Sequence, residues 1–396
     1  MVVLKNIFLL YGLALAFFGA AVLMGWFAWR LKNQRWKVVA FNLSMMLGLL
    51  GAFELALGWV GVTEEKAYWE GSYRLGYSAD HPLLGYGPRD PNARVTSRKF
   101  YGDRMLYDVT YTLKEGQRHT PNSNEQSDAW ALFFGGSFTF GEGLNDDQTL
   151  PFFFNEAAGR RYRVRNFGFH GYGPHQALRI VEELVPRDSA FQNAAEKHAF
   201  YLLIADHVRR AAGKTSWDHQ GPRYQPVGDS VGLAGSFQDG KPWYFRHRVV
   251  RRVLNVWHNS NLCRLLFRSA APEISDADVE LTTRILLQMN NLLQRQGAAF
   301  HLLVEPDYEG AVPGYDAIAK HLQQAGVPVL YVSEVLGNPP PLDPAFYLPV
   351  DGHPNAEYNR RVGYALAQTL NQALHPLPTP TAPELSSIEG PHRRSH

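Results

Sequence analysis

Two long apolar runs open the chain, Asn6 to Trp29 and Val38 to Val62. Each is long enough to cross about 30 Å of hydrocarbon as an α-helix. A cleaved signal peptide has a shorter apolar core and a small-residue cleavage site, and no second span follows it. Arg30, Lys32, Arg35 and Lys37 crowd the short loop between the runs, whereas only Lys5 precedes the first. The positive-inside rule places that loop in the cytoplasm and both ends on the opposite side. The expectation is a transmembrane helical hairpin over residues 1–62 in the inner (cytoplasmic) membrane, with the remainder on the periplasmic side of a Gram-negative cell. Glu54, inside the second run, is costly in lipid unless paired or snorkelling; it marks a helix contact or a partner site, or equally a local water defect or a span frame shifted toward one interface.

Residues 63–128 are turn-rich, and "RMLYDVTYTLKEGQRHTP" alternates apolar and polar positions as a short hairpin or edge strand does. This segment reads as a stalk and β-rich preface. From residue 129 the pattern changes to short apolar runs, "AWALFF", "YRVRNFG", "AFYLLIA", "AFHLLVEP" and "VPVLYVS". Amphipathic stretches such as "PHQALRIVEELV" and "DADVELTTRILLQMNNLLQRQG" separate most of them. Strands alternating with helices predict a parallel sheet covered on both faces, an α/β domain over 129–375. A long insertion at about 207–275 interrupts the alternation. The Pro/Ser/Thr-rich tail 376–396 has no apolar periodicity and is expected to be disordered.

Composition narrows the chemistry. With 45% hydrophobic and 19% charged residues the chain is of folded type, and 39 basic against 37 acidic residues give a net charge of +2, which asks for no nucleic-acid partner. Cys263 stands alone, so no internal disulfide forms, and no Cys/His cluster has zinc spacing. Neither a cofactor nor a metal is expected.

The stretch "WALFFGGSFTFGEG" carries Ser137 out of an apolar strand through two glycines. Ligands of open parallel sheets sit at the C-terminal ends of strands, where this serine falls, although a Gly-Gly-Ser turn taken alone equally suits a purely structural strand-end loop. The stretch lacks the Lys-Ser/Thr ending of a phosphate loop, and Thr139 stands where a nucleophile elbow needs glycine. A serine nucleophile needs a histidine base, and that histidine needs a carboxylate. Asp351 and His353, in the loop "LPVDGHPN" before a final amphipathic helix, offer both. A third piece, "NFGFHGYGPH", places Gly168, Gly171 and Gly173 between the strand end at Asn166 and a helix beginning near Pro174. Such a turn suits backbone donors aimed at an oxyanion, and it also suits an ordinary strand-to-helix connection. Glu305 and Asp307 end a later strand without a spacing that defines an acid/base pair.

In this order the three pieces resemble the SGNH, or GDSL, hydrolases. "GGSFTFGEG" is similar to the family's first block with Gly136 in place of aspartate, "NFGFHGYG" to its second, and "DGHPN" to its last with one residue fewer between Asp351 and His353. The resemblance implies a flavodoxin-like three-layer α/β/α domain with Ser137, His353 and Asp351 as triad and the N–H groups of Ser137 and Gly171 in the oxyanion hole. The third block normally supplies an asparagine in G-x-N-D, but here "LLIADHVRR" places Asp206 there with His207 beside it. An ionised carboxylate cannot donate, so either His207 substitutes or Asp206 pairs with Arg209 or Arg210. The implied activity is a serine esterase acting through an acyl-enzyme on acyl esters, acetyl above all, of envelope glycans or lipids. An O-acyltransferase using the same site, and an inactive binding or assembly subunit engaging envelope proteins, remain as alternatives.

Overall fold

The computed structural model describes residues 2–59, 67–75, 77–240, 242, 247, 249–250, 253–254, 260–266, 273–308 and 310–374. The tail expected to be disordered at 376–396 lies outside the described residues. Helices α1 (Val2–Arg30) and α2 (Gln34–Trp59) pack against each other as a hairpin. Small residues bring them together: Ser44 Oγ donates to the Ala21 carbonyl at 2.7 Å, close to Gly25, and Gly51 faces the Phe18 ring. Both helices are long and apolar enough to cross a membrane by length and composition. Val22, Leu23, Trp29 and Leu49 remain exposed on them, an apolar surface that lipid would cover. Glu54 is 2% exposed, and its carboxylate accepts the N–H groups of Asn261 and Leu262 at 2.6 and 2.7 Å. Its partner is thus the insertion, at the start of the short helix Asn261–Leu266.

Thirteen strands follow among the described residues: β1 (Ala67–Glu70), β2 (Ser78–His81), β3 (Gly85–Pro88), β4 (Arg94–Tyr101), β5 (Arg104–Lys114), β6 (Gln117–Arg118), β7 (Ala129–Phe134), β8 (Arg163–Asn166), β9 (Glu196–Leu203), β10 (Pro222–Val227), β11 (Ser230–Ser236), β12 (Ala299–Val304) and β13 (Val329–Tyr331). Nine form one sheet in the order β1-β4-β5-β6-β8-β7-β9-β12-β13. From β8 to β13 the pairing is parallel. Counted from β7, that part has the order 2-1-3-4-5 of flavodoxin-like doubly wound sheets, whose ligand crevice lies at the switch point between the first and third strands. Here that point falls between β7 and β9.

Every residue of β7 is buried, as a central strand covered on both faces requires. Trp130, Leu132 and Phe134 join the core under helices Pro174–Glu183, Asp276–Arg295 and Tyr315–Gln324. Ala129, Ala131 and Phe133 join the opposite core under Leu150–Ala157 and Ala356–Leu374. The alternation follows from the two-residue period of a strand.

The segment 67–118 is continuous with this sheet. Strands β1, β4, β5 and β6 add to it in antiparallel fashion beside β8. At the start of the insertion, the helix Asp206–Ala211 buries Val208 and Ala211 in the core. The additional chain therefore begins after it, with the hairpin β10–β11 leaning on helix Asp276–Arg295 through a 2.9 Å hydrogen bond from Val231 N–H to Gln288.

Candidate active site

Strand β7 ends at Phe134, and the chain turns through Gly135 at φ +148° before Ser137 starts the short helix Ser137–Phe140. A Cβ at 135 would lie 2.2 Å from Thr139 Oγ1, so the turn requires glycine. Asn166, at the end of β8, donates to the Thr139 carbonyl at 2.9 Å and accepts the Gly168 N–H at 3.0 Å. One side chain thereby ties the serine turn to the glycine-rich turn.

The loop before helix Ala356–Leu374 is pinned by hydrogen bonds from Leu348 N–H to the His353 carbonyl and from Asn355 N–H to the Phe346 carbonyl, both 2.8 Å. Within it Gly352 adopts φ +75°, a left-handed turn that brings the side chains of residues 351 and 353 together. The short D-x-H spacing is accommodated in this way. His353 Nδ1 lies 2.8 Å from Asp351 Oδ2, and its Nε2 lies 2.8 Å from Ser137 Oγ. The Asp351 side chain is fully buried, and Ser137 is 6% exposed.

Residues that the sequence did not single out surround this chain of contacts. Lys99, from β4, contacts Asp351 Oδ1, lies 3.8 Å from Glu142 Oε1 and sits over the Trp69 ring at 4.6 Å. Glu142, in "FGEG", lies 2.7 Å from His170 Nδ1 and 3.4 Å from His353 Nε2. Burial works to raise the Glu142 and Asp351 carboxyls, but for Glu142 the charges of His353, His170 and Lys99 prevail, and for Asp351 those of His353 and Lys99. Both are held below the ordinary carboxylate range. Burial works to lower His353, but Glu142 and Asp351 outweigh it and raise the imidazole above its usual value. Burial lowers His170.

Glu142, Asp351 and His353 also offer donor atoms within 4.8 Å of one another, the spacing of a metal site. Those atoms are already engaged: Asp351 by Lys99 and His353, and His353 by Asp351 and Ser137. An ammonium group between the two carboxylates suits a proton relay better than a cation site.

On the facing side, Gly171 has φ +73°. Tyr86 OH donates to the His170 carbonyl at 2.9 Å, and Trp217 Nε1 to that of Gly171 at 3.4 Å, which fixes the orientation of this turn. The N–H groups of Ser137 and Gly171 have no protein acceptor among the described residues. Asp206 takes Arg209 at 2.9 Å and Arg210 at 2.7 Å, so its carboxylate is spent on ion pairs. His207 is buried, with Nδ1 accepting the Ile204 N–H at 3.4 Å and lying 2.9 Å from Tyr201 OH. Glu305 is hydrogen-bonded to Tyr347 and Tyr358 behind the Asp351/His353 loop, and Asp307 accepts the Val312 N–H. Neither joins the relay.

No family model matches the chain, and no curated protein matches it. Among solved structures it is similar to a member of the lipolytic protein G-D-S-L family from Veillonella parvula, at 9% identity over 62% of this chain and 99% of that one, TM-score 0.35. It is also similar to the psychrotrophic esterase EstA from Pseudoalteromonas sp., at 12% identity over 62% and 97%, TM-score 0.35. A carbohydrate acetylesterase family member from Sinorhizobium meliloti gives 13% identity over 62% and 99%, TM-score 0.34. Likeness at this level leaves the function to be read from the site itself.

Proposed function

We propose that this chain is a membrane-anchored serine ester hydrolase of the SGNH type, acting outside the cytoplasm on small acyl esters, acetyl above all, of envelope glycans or lipids. The observation that carries this is the unbroken contact from Ser137 Oγ to His353 Nε2 and from His353 Nδ1 to Asp351, 2.8 Å at each step. Neutral His353 takes the Ser137 proton as Oγ bonds to the acyl carbon, and the carbonyl electron pair moves onto its oxygen. The N–H groups of Ser137 and Gly171 receive that oxyanion. Collapse breaks the bond to the alcohol, which leaves with the proton from His353, and water attacks the acyl-enzyme through the same histidine. Asp351 orients the imidazole and balances its charge. Delivery of the acyl group to a sugar hydroxyl instead of water would make the same intermediate that of an O-acyltransferase. The exposed apolar surface of the hairpin supports membrane anchoring, and the loop basic residues support the extracytoplasmic orientation.

The test uses the full chain in detergent micelles, with a fluorophosphonate probe and p-nitrophenyl acetate. Labelling that maps to Ser137, with turnover lost in Ser137→Ala and His353→Ala, is the expected result. Turnover that survives Ser137→Ala would overturn the proposal, and so would the absence of both turnover and labelling in the native chain. Supplying acetylated glycans with an acceptor sugar then separates released acetate from transferred acetyl.

A further inference from the structure

The two positions at which this sequence departs from the G-D-S and G-x-N-D patterns, Gly136 and Asp206, converge on one side chain. Arg210 donates through Nε to Asp206 at 2.7 Å and through Nη1 to the Tyr172 carbonyl at 2.8 Å. A Cβ at position 136 would lie 2.6 Å from that Nη1 and 3.1 Å from the Tyr172 carbonyl oxygen. The guanidinium therefore occupies the space a residue-136 side chain would need, between the turn that presents the Ser137 N–H and the turn that presents the Gly171 N–H. Its Nη2 has no acceptor among the described residues, and Arg210 is 8% exposed rather than sealed.

We infer that Arg210 is the third oxyanion donor of this site, held in place by Asp206, and that it does the work of the asparagine the chain lacks. The inference rests on the serine-hydrolase reading. Each substitution makes sense only with the other: aspartate at 206 anchors an arginine, and glycine at 136 makes room for it. A guanidinium is always protonated and donates charge-assisted hydrogen bonds, which are about twice as strong as neutral ones. It suits an oxygen on which negative charge develops.

His207 is the competing donor, and its surroundings argue against it. Its Nε2 is completely buried, without a partner among the described residues, and lies 3.0 Å from where a Cβ on Gly136 would sit. The imidazole is 0% exposed, whereas Arg210 keeps 8% exposure and an Nη2 without an acceptor among the described residues. Burial and the adjacent Arg210 charge keep this imidazole neutral.

The experiment compares the native full chain with Arg210→Met, Gly136→Ala and the double variant, in detergent micelles with p-nitrophenyl acetate. Arg210→Met should lower kcat about 100-fold with KM within about threefold, as loss of a contact made mainly in the transition state requires. Gly136→Ala displaces the guanidinium and should itself lower kcat at least tenfold, yet cost little more once Arg210 is gone. An unchanged kcat in Arg210→Met, a change confined to KM, or the same Gly136→Ala penalty in both backgrounds would overturn the inference. Should Arg210→Met fail to fold, Arg210→Lys is read by the same criteria, since lysine keeps the charge but cannot hold Asp206 and Tyr172 while reaching the oxyanion. Ser137 labelling of the native chain decides the serine reading separately, so an active native enzyme indifferent to Arg210 condemns only the arginine.

Discussion

Glu142 Oε2 lies 3.4 Å from His353 Nε2, the same nitrogen that stands 2.8 Å from Ser137 Oγ. The imidazole thus has a carboxylate at each end, Asp351 at Nδ1 and Glu142 near Nε2, and both favour its protonated form. A general base works only when neutral, so activity should rise with pH through a limb displaced above the ordinary histidine range.

Glu142→Gln removes one of the two negative charges while keeping the shape. The acidic limb of kcat/KM should then move to lower pH by about one unit, measured as a pH–rate profile of p-nitrophenyl acetate hydrolysis. A limb that stays in place would show that Asp351 alone sets the histidine.

Lys99→Met leaves Asp351 and Glu142 without their shared cation in a buried setting. Removing one partner of such a network costs about 3 kcal/mol or more, which should appear as a lower urea midpoint at neutral pH. Because both carboxyls sit below their ordinary range, their contribution to stability is present above about pH 4 and fades as pH falls toward the depressed values. The native chain should therefore lose stability on acidification more steeply than Lys99→Met.

Burial raises Glu305 to about 7, even though the hydroxyls of Tyr347 and Tyr358 favour its ionised form. A carboxyl raised in the folded state stabilises below its unfolded pKa, and that contribution disappears as pH climbs through the folded one. Thermal stability should decline between about pH 4.5 and 7, and Glu305→Gln, which cannot ionise, should flatten the decline. The relief at high pH is roughly 3 kcal/mol.

Gly171→Ala places a Cβ 2.7 Å from both Trp217 Nε1 and Tyr86 OH at a backbone angle of φ +73°. The strain, about 1–3 kcal/mol, falls on the turn whose N–H is proposed to receive the oxyanion. The variant should fold and bind substrate but show kcat reduced at least tenfold, read from steady-state kinetics beside its melting curve.

What could be read from the sequence depended on how local each signal was. Ser137, Gly171 and the Asp351/His353 pair are each marked by glycines within a few residues, and the 2-1-3-4-5 order belongs to strands separated by recognisable helices. The ion pairs of Asp206 were visible as helical i+3 and i+4 spacings in "DHVRR". Lys99 meets Asp351 across 252 positions. The alternation of β4 shows that Lys99 shares a face with Val95 and Ser97, but not which sheet edge receives that strand. Glu142 carried no such signal, because the groups that pair with it or donate to it come from four different segments, with Lys99 on β4, Tyr107 on β5, His170 after β8 and His353 in the last loop.

The strand that carries Trp69 toward Lys99 begins at Ala67, and α2 ends at Trp59. Residues 60–66, even drawn out fully, bridge no more than about 30 Å. On a membrane-anchored chain, as proposed, that length limits how far the serine can stand from the bilayer. An ester carried on a distant wall polymer would stay out of range, whereas one presented on a lipid carrier or on a polymer still emerging from the membrane would come within it.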